Sequence, residues 1–399
     1  MNRWFVRCCR RALATVLALS LSACALLPAA KPAPPTAAPL LHDALFDHPP
    51  RPPEADGVFE LDEAMRQFLR AKLVGASQQK GSPRALIAAL YGQGELRLRY
   101  DATTTRNAAQ AFADRSGNCL SLVIMTAAFA RELGLEISFQ SARQGDAFSR
   151  QGNLTLRSGH VNLVLGPRRT MGAWQSALGG NEPNGLQVDF LPPDELRGLR
   201  TVPITEATVL AMFMNNRATE ALVRQRPAEA YAWAREALRH DAGFTAALNT
   251  LGVVYQRAGH LMAAVAAFDR VLALDSGHTA AMWNLAQALQ NQGRFDEAQA
   301  WNQRRLALEP VAPFLSLQQG QAAMARGAYA EARALFDREQ QATGPSAELY
   351  FWQAQAFFAL GQWRAAQQAL QQAASSSPGG AQQALYEGKL AWLRAKSSP

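Results

Sequence analysis

A period of 34 residues running through the C-terminal half constrains this chain more than any other feature. With the register set at 211, 245, 279, 313 and 347, one column holds Ala230, Ala264, Ala298, Ala332 and Ala366. A second holds Gly259, Gly293, Gly327 and Gly361, with Gln225 in the first repeat. Two places further on stand Phe295, Tyr329 and Trp363, with Pro227 in the first repeat. Two helices whose axes come close need a small residue at the crossing, and a tight turn between them needs a residue that tolerates the left-handed region. A unit of this length cannot bury an apolar face alone, so such units must stack.

This pattern resembles the tetratricopeptide repeat, with Phe268 and Phe336 in its aromatic column and Pro310 and Pro378 at repeat ends. The resemblance implies an all-α superhelical solenoid of five repeats, 211–244, 245–278, 279–312, 313–346 and 347–380. The tail 381–399, with Tyr386, Leu390 and Leu393 on one stripe, then reads as a capping helix. The resemblance also implies a protein or peptide partner in the groove, where Asn215, Asn249, Trp283 and Phe351 occupy equivalent positions. A generic Ala-rich helical bundle is the plainer alternative.

The other end of the chain reads as an export signal. Residues 1–23 carry Arg3, Arg7, Arg10 and Arg11, then an apolar run from Ala12 to Leu21 that is too short to span a bilayer. The run ends Leu21, Ser22, Ala23, Cys24, which resembles a bacterial lipobox; the resemblance implies lipidation at Cys24. Ala25 in the next position implies the outer membrane, with the protein facing the periplasm. A plain secretory signal with Cys24 as a bystander is the alternative. Removing the four arginines takes the formal net charge from +8 to +4. With no basic run interleaved with aromatics, no nucleic-acid partner is expected. Residues 24–57 are rich in Ala and Pro, and a tether in extended polyproline II is expected there.

Between these ends, residues 58–205 change period. Helical patterns come first, with Leu61, Met65 and Phe68 on one stripe, a start signal at Ser82 and Pro83, and a short helix over 105–114. Residues 118–133 are apolar around most of a helix and end at Gly134, which predicts a buried helix. Beyond it, 137–140, 160–165 and 186–190 alternate as strands, with a loop over 167–184. Helices followed by strands indicate an α+β domain.

That domain holds one cysteine, Cys119, and one histidine, His160. With Cys8 and Cys9 in the signal and Cys24 lipidated, Cys119 is the sole free thiol expected in the mature chain. It stands at the start of the buried helix, where unpaired N–H groups and the helix dipole favour negative charge. His160 and Asp189 lie on strands that could pair, bringing a carboxylate to the imidazole. Asn162 shares the face of His160; Asp194 is a rival to Asp189. These stretches, 115–121 (Arg-Ser-Gly-Asn-Cys-Leu-Ser), 159–163 (Gly-His-Val-Asn-Leu) and 188–190 (Val-Asp-Phe), resemble the transglutaminase-like branch of the papain-related cysteine superfamily. Residues 104–112 also resemble bacterial members that pair this domain with tetratricopeptide repeats. The resemblance implies a Cys119, His160, Asp189 triad and an α+β papain/transglutaminase-like fold, with no cofactor and no metal. The gap between His160 and Asp189 departs from the family in being long.

Two functions follow. In the first, the thiolate attacks an amide carbonyl to give an acyl-enzyme, resolved by water in a peptidase or amidase, or by an amine in a transglutaminase. The backbone N–H of Cys119 would supply half of an oxyanion hole. In the second, the chain is a repeat scaffold with a degenerate, non-catalytic domain. The plainer role for Cys119 is a small buried hydrophobe, and for His160 a satisfied strand residue. The intact trio favours the enzyme.

Overall fold

The computed structural model describes residues 37–73, 82–92, 96, 98–101, 104–151, 154–168, 185–190, 200–309, 314–377 and 380–397. The signal, Cys24 and the loop carrying Asp194 lie outside the described residues.

Two short helices come first, α1 (Glu63–Lys72) and α2 (Pro83–Tyr91), each opened by a side-chain cap: Asp62 accepts from the Met65 N–H and Ser82 from the Ala85 N–H. Strand β1 (Arg99–Tyr100) runs parallel to β2 (Ser116–Gly117), and between them lies α3 (Ala108–Asp114), capped reciprocally by Asn107 and Gln110. Helix α4 (Cys119–Glu132) follows directly, with every residue from Leu120 to Ala130 buried. Gly134, at φ +70°, makes the turn out of α4 that the sequence predicted. The rings of Phe68, Phe112 and Phe129 meet at 5.5–5.8 Å in tilted and edge contacts, closing α1 and α3 over α4.

A four-stranded antiparallel sheet covers the other side. It runs in the order β5 (Leu186–Val188), β4 (Leu154–Arg168), β3 (Leu135–Gln151), β6 (Arg200–Ile204). β3 and β4 are far longer than their apolar alternation suggests, because the two strands continue past the core as a paired hairpin after a register shift between Ala142 and Ala147. His160 therefore sits inside β4, not at its start. β6 carries no apolar alternation strong enough to have been predicted; it is held by its ladder to residues 139–143.

Helix pairs make up the remainder: α5 (Glu206–Val223) with α6 (Pro227–His240), α7 (Thr245–Arg257) with α8 (Leu261–Leu274), and α9 (Thr279–Asn291) with α10 (Phe295–Leu308). Then come α11 (Leu315–Ala325) with α12 (Tyr329–Thr343), and α13 (Ala347–Ala359) with α14 (Trp363–Ser375). All five column alanines are buried at the crossings. The four column glycines have φ between +74° and +84°, and Gln225 takes the same turn at φ +60°. Helix α15 (Gly380–Ser397) buries Tyr386, Leu390 and Leu393 against the last pair. The C-terminal region is a tetratricopeptide solenoid.

Two features depart from the sequence reading. First, the expected tether of 24–57 is no tether from Ala37 onward. Short 3-10 turns at 38–40, 43–46 and 53–55 lie across the first two repeats. Phe46 stacks on Tyr231 with ring centroids 4.4 Å apart, and Asp43 accepts from the Tyr231 hydroxyl at 2.7 Å and from Arg235 at 3.0 Å. The Leu40 carbonyl accepts from Tyr255, and Arg51 pairs with buried Glu236. Proline content suggested an extended chain, but the apolar and charged residues between the prolines have buried partners, and these outweigh it.

Second, the stack is interrupted. One apolar core runs from Ala37 through α4 and the first three repeats to Ala298, and a separate cluster begins at Phe314. At the break the column positions turn polar: where α8 carries Val265 and Phe268, α10 carries Gln299 and Asn302. These line an open groove of about 340 Å³ with Phe295, Ala298 and Leu306.

Neighbouring alanines should therefore respond differently to enlargement. Ala264→Leu, in a closed crossing, should cost about 1–3 kcal/mol, as overpacking does. Ala298→Leu, equally at a crossing but bordering the open groove, should cost less than Ala264→Leu. Denaturant midpoints at unchanged slope measure both.

Candidate functional site

Asn118 is the N-cap of α4, and its Oδ1 accepts the backbone N–H of Ser121 at 2.9 Å and the Ser121 hydroxyl at 2.9 Å. The preceding Gly117 has no room for a side chain: a Cβ there would stand 2.7 Å from that of Ser121. The cap places Cys119 at the first turn of a helix otherwise sealed in the core, with its own side chain part-exposed.

His160 comes from the sheet. Strand alternation turns Val161, Leu163 and Leu165 to one face, all buried, and His160 and Asn162 to the other. β5 pairs with β4 so that Val188 is opposite Leu163. The next residue, Asp189, falls beside Asn162, and the contacts follow: Asn162 Nδ2 donates to Asp189 Oδ2 at 3.0 Å, and His160 Nε2 donates to Asp189 Oδ1 at 2.6 Å. The side chains of His160 and Asp189 are each 6% exposed. With Nε2 held by the carboxylate, the ring keeps its other nitrogen for Cys119, whose side chain lies close enough to raise the His160 pKa.

Cys119, His160 and Asp189 are thus brought together in one row, sulfur to imidazole to carboxylate, with Asn162 fixing the carboxylate's second oxygen. The 29 residues separating His160 from Asp189 do not hinder this, because direct β4–β5 pairing sets the meeting point. Burial works against the imidazolium, but hydrogen bonds to Asp189 and Cys119, and the charges of both partners, outweigh it and push the His160 pKa up to about 9.

What the sequence did not offer is the frame behind the cysteine. Asn118 Nδ2 donates to Thr105 Oγ1 at 2.9 Å, the Arg106 N–H donates to Ser121 Oγ at 2.8 Å, and Arg106 bridges Asp101 and Asp114. Residues 104–107 thereby form a brace for the start of α4. Their polarity gave no signal, since the partners are distant in sequence or on another element. Among the described residues no three His, Cys, Asp or Glu side chains gather as metal ligands.

Of the groove candidates, Trp283 is 43% exposed with Arg305 stacked over it, and Asn249 accepts from Asn284. Asn215 is half-buried on α5. Phe351 is not available for a peptide: it packs against Tyr386 of the capping helix, ring centroids 5.1 Å apart.

The elevated pKa gives a pH signature. Because the folded-state value lies above the unfolded one, the stabilisation from His160 is complete below about pH 6.5 and is lost as pH rises through about 9. Denaturation midpoints should fall across that window, and the fall should be absent in His160→Ala. In spectra of the ¹³C-histidine-labelled chain, the His160 resonance should titrate near pH 9, and Asp189→Asn should move its midpoint downward.

Comparison with known proteins concerns the repeats. A tetratricopeptide repeat family model matches residues 258–319. No curated protein sequence matches the chain. Among solved structures, PilF of Pseudomonas aeruginosa is 20% identical over 46% of this chain and 84% of its own, with a TM-score of 0.30. TTC0263, a tetratricopeptide protein of Thermus thermophilus, is 15% identical over 46% of this chain and 99% of its own, at 0.32. YrrB, described as a tetratricopeptide protein with an unusual peptide-binding site, is 20% identical over 45% of this chain and 92% of its own, at 0.25.

Proposed function

We propose that the chain is a lipid-anchored, periplasm-facing cysteine enzyme of the transglutaminase-like class, acting on amide bonds while its repeats hold a protein or peptide. One observation carries the reading: a part-exposed thiol at a helix start stands beside an imidazole whose Nε2 is held 2.6 Å from a buried carboxylate. A buried strand histidine needs a partner such as Asp189 in any case, so it is the thiol at the helix start on the other side of the ring that points to a nucleophile.

In this reading the Cys119 sulfur attacks the carbonyl carbon of the amide, and a tetrahedral oxyanion forms. The α4 start aims backbone N–H groups toward it, that of Cys119 among them. The C–N bond breaks as the His160 imidazolium gives its proton to the departing amine, leaving a thioester on Cys119. Water or a second amine then attacks the thioester, loses a proton to His160 and restores the thiolate. Asp189 keeps the imidazole turned toward the sulfur through both steps and stabilises its cationic form; Asn162 prevents the carboxylate from rotating away. The repeats contribute a protein-binding scaffold, which is the role their fold supports by itself.

Iodoacetamide tests the chemistry. Cys119 in the folded chain should be alkylated readily at about pH 6, where an ordinary thiol, with a pKa of about 8.5, reacts slowly. His160→Ala should abolish the fast reaction, and Asp189→Asn should weaken it. If Cys119 reacts only after unfolding, with no change in the His160 variant, it is a core residue and the chain is a scaffold.

The anchor is tested separately. In a bacterial host, labelled palmitate should enter the full-length chain and be absent from Cys24→Ser, with the former in the outer-membrane fraction. Equal labelling of both chains would overturn the anchor and leave the chemistry untouched.

A further inference from the structure

Resting on the cysteine reading above, we infer that Glu220, carried by the first helix of the repeat array, is a positioning residue for Cys119. Its Oε1 accepts the backbone N–H of Thr105 at 2.7 Å. The Thr105 hydroxyl in turn accepts from Asn118 Nδ2 at 2.9 Å, and Asn118 is the N-cap whose next residue is Cys119. Thr105 and Asn118 are 2% and 8% exposed, so the link between them is closed to water.

The two ends of the Asn118 amide are not equivalent here. Asn118 caps α4 only when Oδ1, not Nδ2, faces the Ser121 N–H. Turned the other way, the amide would set one donor against another and leave the first turn of α4 uncapped. The Ser121 N–H, which can only donate, fixes the choice, and the Thr105 hydroxyl accepts the Nδ2 that is thereby turned to it and pins that end of the amide. Thr105 can do this only while its own backbone is held, and the group holding it is the Glu220 carboxylate. Arg217 aims that carboxylate through its other oxygen at 2.9 Å and lies over the Trp233 ring. The row from Trp233 and Arg217 through Glu220, Thr105 and Asn118 therefore runs from the first repeat to the residue before the nucleophile. Glu220 touches neither Cys119 nor His160 in this arrangement; it acts through the cap.

The test measures the alkylation rate of Cys119 by iodoacetamide in the full chain, resolved by peptide mass spectrometry, beside the thermal unfolding midpoint. Glu220→Ala removes the acceptor and should slow alkylation about ten-fold or more, as displacement of a reacting group does. Glu220→Gln keeps a carbonyl acceptor for Thr105 while losing the Arg217 ion pair. It should react within about three-fold of the native rate, even where its unfolding midpoint drops as far as that of Glu220→Ala. A merely structural role would make rate follow stability in both variants. Thr105→Val retains the N–H to Glu220 but not the hydroxyl, and should be as slow as Glu220→Ala; it decides the matter if Glu220→Ala fails to fold. Native rates in Glu220→Ala and Thr105→Val, or a Glu220→Gln as slow as Glu220→Ala, would overturn the inference and leave the cysteine reading standing. A native chain whose alkylation is indifferent to His160→Ala overturns the cysteine reading and this inference together.

Discussion

The arrangement around Cys119 depends on the burial of α4. Eleven consecutive residues of that helix are buried, which a helix achieves only when neighbours cover its whole circumference. The phenylalanines of α1 and α3 take one side, the β3–β4 pair another, and α5 a third. A helix held this way has no freedom to slide or rotate, so its first turn is a fixed reference to which the sheet can bring a histidine. Thr126 shows how strictly the interior is kept: its hydroxyl bonds both the Leu122 carbonyl and Tyr91, so no polar atom of that side chain is left unpaired.

The sequence made the repeats legible because their constraint is local and recurs. A small side chain at each crossing and a left-handed turn after each first helix are demands that one residue type meets, and the columns display them. Gln225 shows the limit of that reading, since it takes the turn at φ +60° without being glycine. The interruption after the third pair coincides with a polar change in the columns, Gln299 and Asn302 standing where the preceding repeat has Val265 and Phe268.

In the α+β part, what was legible followed from order and alternation: a cysteine at a helix start, a histidine and an acid on strands. Asp189 was named over Asp194 on the family resemblance and not on geometry, because the meeting point is set by the β4–β5 register, and a shift of one residue would turn Asp189 to the opposite face. The brace of Thr105, Arg106 and Asn118 was hidden for a related reason. Each member looks like an ordinary loop or capping residue until the chain folds it against a partner more than ten positions away. Composition misled outright at 37–57, where prolines masked residues with specific partners.

That same segment bears on how the two halves work as one. Domains joined by a flexible linker move relative to each other unless a large apolar contact prevents it. Here α5 packs on α4 and on α6 at once, within a single apolar core. The strap adds a second tie: Asp43 and Phe46 are held by the repeats, while Phe59 meets Phe139 on the sheet and the Val58 carbonyl accepts the Ala108 N–H. Two crossings at separate points resist both hinge and twist, so the first repeats and the cysteine keep one geometry. Under the function proposed above, a protein held by those repeats would meet Cys119 at a distance and angle set by packing, and that geometry would select which of its bonds is presented.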